Sequence, residues 1–210
     1  IDARSSALSG KIAANMEPDG GAAAYNPALV DSSSIGVLNV SYLNYFAGIQ
    51  IAAVDGVVRN KGRHTIHIGA RFSSFGKFDG YDSSGWPTGD FSGGDYFLQS
   101  GITWKIDSVW TAGVTGWGGF RNLERENAGV IGFDAGVMGV WPEKIFAAGV
   151  LISGMGRQFA GTGSQPVGWM PINIQLGITK GFENAPFQLY LQAEHLEEWS
   201  LAPEGTYEDD

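Results

Sequence analysis

Cysteine is absent from the 210 residues, so disulfides and thiol chemistry are excluded, and the redox compartment leaves no trace in the composition. Charge is scarce: 17% of residues are charged, against about a quarter in ordinary soluble domains. No run of about 18 apolar residues occurs, which excludes a transmembrane helix. There is no basic stripe, and the net charge of −9 argues against a nucleic-acid partner. Part of that charge sits in Glu204, Glu208, Asp209 and Asp210. No signal peptide opens the chain. Ile1-Asp2-Ala3-Arg4 reads as the start of a processed or trimmed protein, which leaves export open.

Glycine, by contrast, is abundant. The 32 glycines are roughly twice the usual share, and they are spread through strand-like segments rather than gathered in a linker. Glycine weakens an ordinary strand, so this distribution points to tight curvature or close backbone approach, as in a barrel wall.

From residue 35 onward the apolar period is two. Ile172, Ile174, Leu176 and Ile178 alternate with Asn173, Gln175, Gly177 and Thr179, giving a strand with one apolar and one polar side. The same pattern places Leu38, Val40 and Tyr42 on one face, followed by Ile49, Ile51 and Ala53, then Ile66, Ile68, Ala70 and Phe72. Leu98, Ile102, Trp104 and Ile106 come next, then Trp110, Ala112, Val114 and Phe120, and Ile131, Phe133, Ala135, Val137 and Trp141. Phe146, Ala148, Val150 and Ile152 precede the 171–181 strand, and Phe187, Leu189, Leu191 and Ala193 follow it. The sequence thus predicts about nine strands of roughly the length a tilted membrane strand needs.

Connections near residues 60–63, 107–108, 142–144 and 183–185 are short, with turn-forming residues. Those at 76–94, 121–127 and 156–169 read as longer loops. Antiparallel neighbours put successive connections at opposite ends, so the pattern predicts one trim end and one loop end, the asymmetry of outer-membrane barrels. Trp104, Trp110, Trp141 and Phe182 fall near the trim end. Tyr42, Phe46, Phe72, Phe75, Trp169 and Trp199 fall toward the loop end, as two interfacial belts would.

A soluble barrel has the same period, with its apolar face inward. The polar face decides between the two. It is built largely from Gln, Asn, Ser, Thr and Gly, with an occasional Arg71, Lys105, Asp134 or Glu194. That suits a crowded hydrated lumen better than a surface in bulk water, so the apolar side is expected to touch lipid. Nine strands starting at the trim end finish at the loop end. An open edge in lipid exposes unpaired backbone at several kcal/mol per group, so either the period misses strands within the chain or closing strands follow Asp210, and the second is the expectation. The chain divides into an N-terminal plug- or hatch-like segment, residues 1–33, and barrel wall, residues 34–210. In the first, Asn26 followed by Pro27 predicts a short capped helical turn, because Asn caps and Pro suits the first position.

Five stretches carry a resemblance: SSALSG (5–10), YNPALV (25–30), SYLNYFAGI (41–49), FGKFDGYDSSGWPTGDFSGGDY (75–96) and PINIQLGITKGFENAPFQLYLQAEHLEEW (171–199). In one register across almost the whole chain they resemble the PorQ family of outer-membrane proteins of the type IX secretion system. That family is related to PorV and, more distantly, to FadL-type barrels. The resemblance implies an all-β, antiparallel transmembrane β-barrel of about 14 strands with an N-terminal segment in or near the lumen. It further implies an attachment complex at the cell surface with PorU-like, PorV-like and PorZ-like partners, in which cargo is anchored to lipopolysaccharide. PorQ-like proteins are usually longer than this chain, with closing strands after the position of Trp199. The expected location is the outer membrane of a Gram-negative bacterium, with the loops extracellular.

Chemistry-bearing patterns are few. His64 and His67 are three apart on a strand, so they point to opposite faces and cannot share a metal. No P-loop, nucleophile elbow or zinc spacing occurs. Asp79, Asp82, Asp90 and Asp95 crowd the 76–94 region without an EF-hand pattern and read as a solvated acidic loop. Glu194, His195, Glu197 and Glu198 read as polar groups of the rim. The expectation is therefore a non-enzymatic protein with no cofactor and no metal. Phe75, Phe78, Tyr81, Trp86, Phe91 and Tyr96 are the candidate partner-contact residues, since exposed aromatics with little charge suit interface cores. The competing function is a FadL-like transporter of hydrophobic compounds with residues 1–33 as its hatch.

Overall fold

In a computed structural model, residues 12–16, 25–30, 34–124, 126–160 and 167–198 are described. Trp199, expected at the loop end, and the acidic tail residues lie outside them. The architecture is one antiparallel sheet of ten strands: β1 (Leu38–Asn44), β2 (Gln50–Lys61), β3 (His64–Tyr81), β4 (Pro87–Lys105), β5 (Trp110–Leu123), β6 (Glu126–Trp141), β7 (Phe146–Ala160), β8 (Gly168–Trp169), β9 (Asn173–Phe182) and β10 (Ala185–Ala193). Each strand pairs with its sequence neighbour, except that β7 pairs with both β8 and β9, which follow one another along its edge. The sheet does not close on itself: among the described residues β1 pairs with β2 and β10 with β9, each along one edge. No helix among the described residues is long and apolar enough to cross a membrane.

The two faces are inverted relative to a water-soluble sheet. Residues paired across strands share a face, and one face carries Thr65, His67, Thr103, Thr115, Leu151, Gln175 and Thr179, all buried. The other carries Ile68, Leu98, Val114, Ile131, Phe133, Val137, Val150 and Leu176, all exposed. Leu98 is 67% exposed while Gln175 is 0%. Buried apolar clusters among the described residues are small and lie on the polar face: Ala28, Leu29 and Met138 with Val140 beside them, and Val30 with Val57.

Three sequence expectations need correction. In β2 the exposed face is the one bearing Val54 and Val58, whereas Ala53 and Val57 are buried with Asp55 and share the inward face with Ile51. The expected apolar row Ile49, Ile51, Ala53 therefore points the wrong way. Residues 76–94 are not a loop. They extend β3 and β4 as a paired hairpin, Lys77 opposite Ser92 and Tyr81 opposite Pro87, turning only at Asp82–Trp86. The turn is pinned by Asp82 Oδ1, which accepts from Ser84 N at 2.9 Å and Trp86 N at 2.8 Å. The 121–127 connection is also short, since β5 runs to Leu123 and β6 starts at Glu126. The two ends thus differ through a projecting hairpin more than through loop length.

β7 contains an irregularity with consequences for facing. Ala135 pairs with Ile152, but Phe133 pairs with Met155, so β7 has one residue more than β6 over this span. Gly154 sits in the bulge with φ +81°, a conformation that disfavours side chains. Its N–H donates to Asp134 Oδ1 at 2.9 Å. Before the bulge even-numbered residues face outward; after it, Arg157 and Phe159 do.

Candidate functional site

Two stretches of the N-terminal segment lie on the polar face. Ile12–Asn15 and Asn26–Val30 are buried. Asn26 caps a three-residue 3-10 turn, Pro27–Leu29, its side chain accepting from Ala28 N at 2.9 Å. The expected capped turn is thus present at Asn26 and Pro27. The sheet holds the segment by side chain-to-backbone bonds: Thr103 Oγ1 to the Pro27 carbonyl, Thr111 Oγ1 to that of Ala28 at 2.9 Å, and Thr179 Oγ1 to that of Ala14 at 2.9 Å. Gln192 Oε1 accepts from Ala13 N at 3.2 Å. Short hydroxyls reaching backbone carbonyls satisfy groups that burial would otherwise leave unpaired.

Glycine makes the approach possible. A Cβ on Gly113 would stand 2.5 Å from the Pro27 carbonyl carbon, and one on Gly177 would stand 2.9 Å from Ala13 Cβ. Gly136 and Gly149 meet Asn26 and Ala13 more closely still. These four come from β5, β6, β7 and β9 and form a smooth bed across the sheet.

On the loop-end side of this bed the polar face holds an open cavity of about 560 Å³, lined in part by Arg71, Asp95, Phe97, Arg121, Gln158 and Met170. Arg71 lies over the Phe97 ring, 4.9 Å from its centroid. Arg121 grips Asp95 with two bonds of 2.7 Å each. Nearby, Gln99 Nε2 donates to Asp55 Oδ1 at 2.9 Å, and Trp117 Nε1 donates to Asp134 Oδ1 at 3.0 Å. The crevice between the N-terminal stretches and the wall is smaller, about 270 Å³. Arg71 and Asp134 face this side as the alternation predicts, while the Arg71–Phe97 contact and the bridging role of Asp134 were invisible to it.

The partner-contact candidates do not share one surface. Phe78 and Phe91 stack at 5.3 Å within the hairpin. Tyr81 and Trp86 are exposed near its tip. Phe75 lies under Arg121, and Tyr96 packs on Phe72 at 5.1 Å on the outward apolar face. The four aspartates do not gather a site either. Asp95 is held by Arg121, Asp82 by the turn, and Asp79 faces Asp90 across the hairpin.

His67 is buried with Nε2 2.9 Å from Thr115 Oγ1, while His64 is exposed on the opposite face. Among the described residues one trio, His195, Glu197 and Glu198, brings potential ligand atoms within 4.8 Å of one another. Glu197 already serves the backbone: its Oε2 accepts from Ile174 N at 2.7 Å, and that bond holds its carboxyl below the usual range. At the trim end Asp107 does the same for Trp110 and Val109, both at 2.7 Å, and its carboxyl is likewise lowered.

Most aromatic side chains on the exposed face fall into two belts, with Phe133 between them. Tyr42, Phe72, Tyr96, Phe120 and Phe159 lie along neighbouring strands toward the loop end, Phe72 paired with Tyr96 and Tyr96 with Phe120. At the trim end Trp110 meets Trp141 edge-on at 5.4 Å, Trp141 meets Phe146 at 5.6 Å, and Phe182 meets Phe187 at 5.1 Å. On β5 the belts are ten residues apart, Trp110 to Phe120. That is about 33 Å along a strand, or roughly 25 Å along the normal at the usual tilt, the height of an outer-membrane barrel's apolar band. Compared with protein-family models and with curated proteins, the chain matches none.

Proposed function

We propose that this chain is the wall of an outer-membrane β-barrel with its N-terminal segment seated in the lumen, serving as a non-enzymatic anchor for proteins at the cell surface. One observation carries the reading: the exposed face is apolar and bounded by aromatic belts, while the buried face is polar. In water that arrangement leaves leucines and isoleucines wet and amides dry, the reverse of what folding favours. Hydrocarbon against the first face and a hydrated lumen against the second removes both penalties. Free edges in hydrocarbon are costly, so β1 and β10 require strand partners. The nine successive strand positions run up and down in turn, so β1 and β10 point the same way. Antiparallel closure between them then needs an odd number of further strands.

The narrower reading, a barrel of the type IX secretion attachment complex holding PorU-like, PorV-like and PorZ-like proteins, rests on the PorQ resemblance. The projecting β3–β4 hairpin supports a holding role, since it carries Tyr81 and Trp86 clear of the loop-end belt. A FadL-like transporter of hydrophobic compounds is the second reading, favoured by the cavity beside Arg71 and Phe97. Against transport, the crevice at the N-terminal stretches falls below the roughly 300 Å³ of ordinary ligand sites.

Purification from membranes in mild detergent, with identification of what co-elutes, tests the proposal. Surface proteins that co-elute with the native chain and are lost from the Tyr81→Ser/Trp86→Ser variant support the anchor. Recovery alone with bound fatty acid supports transport. A protein freely soluble without surfactant overturns the membrane reading altogether.

A further inference from the structure

The exposed apolar face is not smooth. A trough of about 630 Å³ crosses β1 to β6, with Gly116 and Gly118 in its floor and Val54, Ile68, Leu98 and Ile131 among its walls. Its volume falls in the range of about 300–1,000 Å³ typical of ligand sites. At the β7 end stands a cation. Arg157 pairs directly with Ile131, itself 60% exposed, and with Trp169 on its other side, 83% exposed. Arg157 is exposed and has no ion-pair or hydrogen-bond partner among the described residues. It sits two residues inside Phe159 of the loop-end belt, about 7 Å along the strand.

We infer that the trough and Arg157 together form a binding site for one lipid with an anionic phosphate headgroup, the acyl chain in the trough and the phosphate on the guanidinium. The inference rests on the membrane reading above. Charge complementarity commits the occupant. An unpaired Arg on a lipid-facing wall is costly within the apolar band, but its long stem reaches toward the belt, where guanidinium meets phosphate through two parallel hydrogen bonds. Trp169 beside it suits the same depth, apolar ring inward and indole N–H at the headgroups.

The test uses the full chain purified in detergent and exchanged into nanodiscs holding phosphatidylglycerol and phosphatidylcholine with identical acyl chains. Lipids retained after release are counted by native mass spectrometry. Wild type is expected to retain phosphatidylglycerol about fivefold over phosphatidylcholine, the worth of one basic residue at a lipid surface. Arg157→Gln abolishes the preference. Gly118→Leu is expected to fill the trough and lower retention of both lipids; a Cβ there meets only the Val130 carbonyl oxygen, at 3.7 Å, and unchanged heat-modifiable migration of the variant checks that its sheet is intact. Equal retention of the two lipids by wild type overturns the inference, as does an unchanged preference in Arg157→Gln or undiminished retention in Gly118→Leu. Those results leave the membrane reading standing. A chain that enters no nanodisc overturns both.

Discussion

Asn26 Nδ2 donates to the Ala13 carbonyl at 2.7 Å, joining two stretches of chain 13 residues apart over the same bed of glycines. The same side chain caps the Pro27–Leu29 turn through its oxygen, so one fully buried amide fixes both the local fold and the relative position of the two stretches.

Asn26→Ala therefore removes two buried bonds and strands the Ala13 carbonyl, at a cost of about 1–3 kcal/mol. Denaturant unfolding of the detergent-solubilised protein, with amide exchange at residues 12–16 and 25–30, measures it. The expected result is faster exchange in both stretches with the sheet still protected. Unchanged exchange at residues 12–16 would show that Asn26 does not link them.

Val150 and Leu151 are neighbours on β7 with opposite surroundings, one exposed and one fully buried. Val150 lies between Phe146 of the trim-end belt and Phe159 of the loop-end belt. Val150→Arg is expected to destabilise the vesicle-inserted protein by about 2–4 kcal/mol, the cost of a cation near the bilayer midplane. A surface substitution on a sheet in water costs within about 0.5 kcal/mol. A near-zero effect in vesicles argues for water on that face.

Trp110 and Trp141 belong to the outward trim-end belt, whereas Trp117 is buried on the inward face with its indole on Asp134. In vesicles of brominated lipid, emission from single-tryptophan variants retaining Trp110 or Trp141 is expected to be strongly quenched. A variant retaining Trp117 alone should stay bright. Equal quenching of all three contradicts the assignment of faces.

Asp107 and Glu197 both have carboxyls lowered by backbone N–H donors, Trp110 and Val109 for the first and Ile174 for the second. A carboxyl whose folded value lies below its unfolded one contributes stability above the unfolded value and loses it as pH falls through the folded value. Acidification is therefore expected to release the Trp110 and Ile174 amides first, seen as faster hydrogen exchange at those two positions. Asp107→Asn should remove the pH dependence at Trp110 and leave that at Ile174 intact. A Trp110 exchange rate with the same pH dependence in both proteins would assign the effect elsewhere.

Much of the wall can be read from residue order because one strong period dominates it. Along β9 the outward residues are apolar apart from Lys180 and the inward ones polar or glycine, so alternation alone assigns the faces. β2 defeats that logic: Ala53 and Val57 face inward and Val54 and Val58 outward, so both sides are apolar and the period cannot choose between them. The hairpin at 76–94 is hidden from the sequence for a different reason. Its glycines and aspartates have low strand propensity, yet each strand is held by the ladder of the other, a partner that local composition does not reveal. The N-terminal bed was half visible: Asn26-Pro27 announces its own cap, but Gly113, Gly136, Gly149 and Gly177 become one surface only when four strands stand side by side.

The Gly154 bulge acts as a frameshift in side-chain orientation. Were the bulge flattened, with Gly154 kept and taken into the ladder as an ordinary strand residue, every side chain of β7 toward the loop end would exchange sides. Gln158 would then lie on the apolar outward face and the Arg157 guanidinium on the polar inward one. Flattening one bulge would thus move a positive charge from one side of the wall to the other without altering any residue that carries charge, whereas deleting Gly154 would leave it where it is.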